Sequence, residues 1–224
     1  MIWIYGDSFA CQPTDWQHLK TVHKRWPYLL KKYFSVDEKN FGFGGSSLQY
    51  SFHVMSKTFH SWQKNDIIIF LETSLDRKWW FKDFPGCSTI NNINRNEFIY
   101  KRDKDWASRW FLDFYDEELE YLNLRAFYHL LNFWCTQQGV NCFALKCFNR
   151  SDINSLSNVF ISNGTALHEM SAKEYTVPPK DGIFDPRIGH FSFVNHLEIT
   201  RRFIEAIQSK TPVDTYTSLK EEIY

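Results

Sequence analysis

Asp66-Ile67-Ile68-Ile69-Phe70-Leu71 is the clearest strand in the chain. Its apolar residues do not alternate with polar ones. Both faces of the strand must therefore be covered, which is the pattern of a parallel sheet with helices on either side. Glu72-Thr73-Ser74 follows at its C-terminal end. Working outward, Met1–Tyr5 is short, apolar and rich in β-formers, Val36–Phe41 predicts a second strand, and Val140–Lys146 another. Between them the apolar spacing turns helical. Trp26–Phe34 carries Pro27 in its first turn, and Leu48–Trp62 follows a glycine cluster. Glu117–Gln138 shows a helical pattern at Leu119, Leu122, Ala126, Leu130, Phe133 and Trp134, with Gly139 placed as its C-cap. Leu197–Ile207 predicts a closing amphipathic helix. This alternation predicts an α/β fold, a three-layer α/β/α sandwich with a parallel central sheet.

The chain has 224 residues, enough for one large domain with a sizeable core. The expected organisation is a single domain over 1–210, with a peripheral insertion at about 81–116 and a detached tail at 211–224. Ser151–Lys180 reads as polar and irregular. Lys and Arg number 26 and so do Asp and Glu, so no global field favours nucleic acid or an anionic membrane. The five cysteines are odd in number and form no Cys-x-x-Cys pair, which argues against a disulfide framework or a zinc ribbon. His53 and His60 fall on one helical face, and no cluster has metal-ligand spacing, so neither metal nor cofactor is expected. No stretch approaches the roughly 20 apolar residues of a membrane span, and no basic, apolar leader opens the chain. Aromatic residues make up 18%, with nine Trp, which suits either a core or a sugar-binding surface.

Chemistry is expected where parallel strands end. After the first strand stands Gly6-Asp7-Ser8. Ser8 has two readings, a helix cap or a nucleophile beside free backbone N–H groups that hold an oxyanion. After the second strand comes Asn40-Phe41-Gly42-Phe43-Gly44-Gly45-Ser46-Ser47, either a tight turn or a close backbone approach to a ligand. It is no Walker loop, because no Gly-Lys-Ser/Thr follows. The loop Asp181 to His190 precedes the last helix, and His196 is expected to pack at that helix's start.

Taken together, Gly6-Asp7-Ser8, Asn40-x-Gly42-x-x-Gly45 and His190-Phe191-Ser192 resemble the SGNH/GDSL hydrolase family, over Trp3 to about Ile207. The likeness is greatest to versions encoded by tailed bacteriophages, through Trp26-Pro27-Tyr28-Leu29-Leu30, Gly45-Ser46-Ser47 and Thr73-Ser74-x-x-Arg77. The resemblance implies the SGNH/flavodoxin-like fold and a serine esterase, an acyl hydrolase acting on an ester or an acylated glycan. It implies Ser8 as nucleophile, His190 as base, Asp185 or Asp181 as the acid orienting it, and Ser8, Gly45 and Ser74 as oxyanion donors. Two departures stand out. The family's Gly-x-Asn-Asp is replaced by Glu72-Thr73-Ser74, and the acid three residues before the histidine is Arg187. These favour, as the alternative, a weakly active or inactive scaffold serving a virion, an assembly or glycan binding. Virion or homo-oligomer contacts are then expected through 81–116 or the tail, with synthesis in the host cytoplasm and no signal-peptide export.

Overall fold

The computed structural model describes residues 1–7, 9–10, 25–78, 105, 108–110, 112–147, 153–167, 193–216 and 219. Five parallel strands form the central sheet: β1 (Ile2–Tyr5), β2 (Glu38–Asn40), β3 (Ile67–Glu72), β4 (Asn141–Lys146) and β5 (Val159–Ile161), in the order β2-β1-β3-β4-β5. The register aligns Ile2 with Ile67 and Tyr5 with Phe70, and then Ile67 with Asn141 and Glu72 with Lys146. The helices α1 (Trp26–Phe34), α2 (Leu48–Thr58), α3 (Glu117–Gln138) and α4 (Phe193–Ser209) accompany it.

The period-2 geometry of the strands sorts their side chains into two cores. Ile2, Ile4, Ile69, Leu71, Phe143 and Leu145 pack with Trp26 and Leu30 of α1 and Ile199 and Phe203 of α4. Trp3, Tyr5, Ile68, Phe70, Cys142 and Ala144 pack on the other face with Leu48 and Met55 of α2 and Leu124, Phe127 and Leu131 of α3. Both faces of β3 are therefore covered, which is why its sequence is apolar throughout. This is the expected α/β/α sandwich. Trp3, Trp26, Trp62 and Trp134 are buried and serve the core, not a sugar-binding surface.

Four details differ from the sequence reading. The fifth strand, Val159-Phe160-Ile161, lies inside the stretch read as irregular; three residues are too few for a periodic signal, and pairing to β4 creates the strand. Helix α3 has the expected bounds, with Asp116 accepting from the Glu118 and Leu119 N–H groups and Gly139 at φ 63. Yet it buries Leu124, Phe127, Tyr128, Leu131, Trp134 and Cys135, and leaves Leu119, Leu122 and Phe133 half exposed. The helix carries apolar residues on two faces, and the face richer in aromatics covers the sheet. Helix α4 begins at Phe193, four residues before the expected start at Leu197.

The fourth difference is at the C-terminus, read as detached. A short strand β6 (Asn163–Gly164) pairs in parallel with β7 (Asp214–Thr215). Val213 is fully buried and Leu219 nearly so. Arg202, 2% exposed, donates through Nη1 to the Asp214 carbonyl at 3.0 Å and through Nε to Glu198 at 2.9 Å. Two buried apolar side chains and one buried guanidinium dock the segment without any periodic pattern of its own. Only 105, 108–110 and 112–116 of the 81–116 insertion are described. There, Lys78 pairs with Glu120 and lies 4.9 Å from the Trp110 ring centre and 5.9 Å from that of Tyr115.

Candidate active site

Three loops leave the C-terminal ends of β1, β2 and β3 and are tied to one another by hydrogen bonds. Gly6 opens the first. Its φ is +139°, and a Cβ placed on it would sit 2.7 Å from both Cβ and the carbonyl oxygen of Leu71. Glycine is required here because the chain leaves β1 in contact with the β3 backbone. The Gly6 carbonyl accepts from Phe43 N–H at 3.0 Å and from the Ser46 hydroxyl at 2.9 Å, which fixes the second loop against the first. Asn40 does the same from its other side. Its Nδ2 donates to the Ala10 carbonyl at 2.8 Å while its Oδ1 accepts from Gly42 N–H at 2.8 Å.

The second loop turns from Phe43 to Ser46, whose N–H donates to the Phe43 carbonyl at 3.0 Å. Gly45 occupies the third turn position at φ +75°, the conformation a type II turn demands of glycine. Unlike Gly6, it faces open space where a Cβ would stand. Ser47 then caps α2 by accepting from Tyr50 N–H.

The third loop joins the other two through side chains. Thr73, fully buried, donates its hydroxyl to the Ser46 carbonyl at 2.7 Å. Arg77 Nη1 donates to Asp7 Oδ2 at 2.8 Å, to Thr73 Oγ1 at 3.0 Å and to the Ser46 carbonyl at 3.5 Å. Asp7 is fully buried, so this is a desolvated, charge-assisted pair. Asp7 also shapes its own turn: Oδ1 accepts from Phe9 N–H at 3.0 Å, and its carbonyl accepts from Ala10 N–H at 3.1 Å. Ser8 lies between these bonded residues in sequence.

A further acid and a thiol lie below the loops. Glu72 is fully buried and accepts from the Tyr128 hydroxyl at 2.6 Å. Burial first, then the Glu72 charge, holds the Tyr128 phenol well above its ordinary pKa, so Tyr128 stays a donor. Burial, then the Asp7 and Glu72 carboxylates, push the Cys147 thiol up against the smaller opposing effect of Arg77. Cys147 is therefore a neutral thiol and no nucleophile.

Of the residues expected in the site, Ser8, His190 and both candidate acids, Asp185 and Asp181, lie outside the described residues. Gly45 and Ser74 are described. Ser74 donates its one hydroxyl proton to Asp76, its neighbour two residues on. His196 is buried at the start of α4, where Nδ1 accepts from Trp26 N–H at 3.4 Å; it serves as the missing cap of α1, whose Arg25 makes no side-chain cap. Trp26 Nε1 in turn donates to the Phe9 carbonyl at 2.9 Å and so steadies the first loop from the α1 side. Sequence reasoning missed the Arg77–Asp7 pair, although both residues stood within the quoted motifs. It also missed the Glu72–Tyr128 bond. Neither follows from spacing, because the partners are 70 and 56 residues apart.

Among the described residues, no group of three or more His, Cys, Asp or Glu side chains gathers as a metal site, and no helix is long and apolar enough to cross a membrane. No family model and no curated protein matches the chain. Among solved structures it is similar to a member of the lipolytic protein G-D-S-L family from Veillonella parvula DSM 2008. The identity is 12%, the TM-score is 0.37, and the match covers 94% of this chain and 74% of the other. That likeness is too distant to speak for residues or chemistry.

Proposed function

We propose that the protein is a serine acyl hydrolase of the SGNH type, with Ser8 as nucleophile, His190 as its general base and Asp185 or Asp181 orienting the imidazole. The observation that carries this reading is the clasp of three loops around Gly6 and Asp7, the residues that precede Ser8 in sequence, formed by Phe43 N–H and Ser46 Oγ on the Gly6 carbonyl and by Arg77 on Asp7. A capping serine needs no such scaffold, whereas a nucleophile must be held in one geometry against its base and oxyanion donors. In the reaction Ser8 Oγ attacks an ester carbonyl as His190 takes its proton. The backbone N–H groups of Ser8 and Gly45 receive the oxyanion, and His190 then protonates the leaving alcohol. Water repeats the sequence to free the enzyme. Esters of short acyl groups are the first substrates to test, with acylated glycans as the natural class beyond them.

One observation favours a second reading, a weakly active or inactive scaffold of virion or glycan-binding type. Both third-loop hydroxyls direct their protons within the protein, Thr73 to the Ser46 carbonyl and Ser74 to Asp76. With neither hydroxyl serving as the third donor, about 2.7–4 kcal/mol of transition-state stabilisation is forgone. Hydrolysis of p-nitrophenyl acetate and labelling by a fluorophosphonate, each on the wild type and on Ser8→Ala, separate the two. Turnover and labelling that disappear in Ser8→Ala support the hydrolase. A folded wild type that neither turns over nor labels supports the scaffold, and an active Ser8→Ala protein would show the nucleophile assignment wrong.

A further inference from the structure

We infer that Arg77 is a positioning residue for the nucleophile turn, acting through its buried ion pair with Asp7. The inference rests on the hydrolase reading for its catalytic consequence, but not for its structural content. Arg77 Nη1 reaches Asp7 Oδ2 at 2.8 Å, and the same nitrogen lies 3.0 Å from Thr73 Oγ1 and 3.5 Å from the Ser46 carbonyl. One guanidinium nitrogen thus touches all three loops. Asp7 is fully buried and Arg77 largely so, with 15% of its side chain exposed, so the pair is little screened by water. Asp7 passes the constraint to the turn itself, since Oδ1 holds Phe9 N–H and its carbonyl holds Ala10 N–H.

An alternative would be that the pair merely neutralises a buried carboxylate. The multiplicity of contacts argues otherwise. Arg77 already sits four residues after Thr73, and Thr73 bonds the Ser46 carbonyl that Arg77 also approaches. The guanidinium therefore fixes the distance between the Asp7 turn and the Ser46 turn, which bear the proposed nucleophile and oxyanion glycine. A lysine ammonium would supply charge without the planar, pre-organised fork.

The test compares wild type, Arg77→Ala and Arg77→Lys by amide hydrogen exchange and by p-nitrophenyl acetate kinetics. In folded Arg77→Ala the Phe9 and Ala10 amides should exchange at least about 100-fold faster, while β3 and β4 amides keep wild-type protection. If the wild type hydrolyses ester in a Ser8-dependent manner, kcat should fall about 100-fold with KM nearly unchanged, the signature of a displaced nucleophile and not of lost binding. Arg77→Lys should lie between. Unaltered exchange at Phe9 and Ala10 in a folded Arg77→Ala protein overturns the inference whatever the activity, as does an unchanged kcat in an active enzyme. Should Arg77→Ala fail to fold, Arg77→Lys decides. Exchange roughly tenfold faster at those two amides alone supports the assignment, and wild-type exchange there refutes it. A wild type with no Ser8-dependent turnover but with the predicted exchange change would sink the hydrolase reading and leave the positioning role standing.

Discussion

Replacing Gly6 by alanine tests how closely the first loop is bound to the sheet. The new methyl would stand 2.7 Å from Leu71 Cβ and 2.7 Å from the Leu71 carbonyl oxygen, and Leu71 is fully buried in the central strand β3. Neither atom is the end of a flexible side chain, so the strand or the loop must shift. The backbone adds its own penalty, because φ is +139°. Strain of that kind costs about 1–3 kcal/mol, and overpacking a tight site costs about as much again, so about 4 kcal/mol is expected in total. Gly45→Ala supplies the control. Its φ is +75° but nothing lies within 4 Å of the added methyl, so only the left-handed penalty of about 1–2 kcal/mol applies. With a urea slope of about 3 kcal/mol/M, the Gly6 variant should lose about 1.3 M in midpoint and the Gly45 variant about 0.5 M. Equilibrium unfolding followed by far-UV circular dichroism measures both. Equal losses, or a Gly6→Ala midpoint close to wild type, would refute the close-approach argument.

Other substitutions address the remaining buried polar groups. Tyr128→Phe removes the 2.6 Å bond to the buried Glu72 carboxyl and should cost about 1.5–3 kcal/mol in the same assay, with the slope unchanged. Arg202→Ala takes a buried guanidinium from Glu198 and from the Asp214 carbonyl; a loss of about 3 kcal/mol is expected, and limited proteolysis should cut first near 211–219. Hydrogen bonds from Arg201, outweighing burial and joined by those from Arg202, hold the Glu198 carboxyl down at about 2, against an ordinary value of 4.5. A depressed carboxyl stabilises the fold fully above about 4.5, and that contribution fades as pH falls toward 2. The stability gap between wild type and Glu198→Gln should therefore be widest near neutrality and shrink to about a quarter of that by pH 2.5, which parallel urea titrations at the two pH values will read.

Where a residue's fate depends on its immediate neighbours, the sequence determined it. The unbroken Ile67-Ile68-Ile69-Phe70-Leu71 run required two covered faces and hence the parallel sheet and its helical layers. Gly139 marked the end of α3, because C-capping involves only the last turn. The Asn40-x-Gly42-x-x-Gly45 cluster announced a turn, since positive φ is a local property of glycine. Tertiary structure decided what depends on distant partners. It chose which apolar face of α3 meets the sheet, made a strand of Val159-Phe160-Ile161 by pairing it with β4, and drew Val213 into the core. It also joined Arg77 to Asp7 across 70 residues and turned His196 into a cap for Trp26 across 170. A charge or an apolar side chain is known from the sequence. Its partner is fixed only when the folded chain excludes water and leaves a buried group few neighbours able to satisfy it.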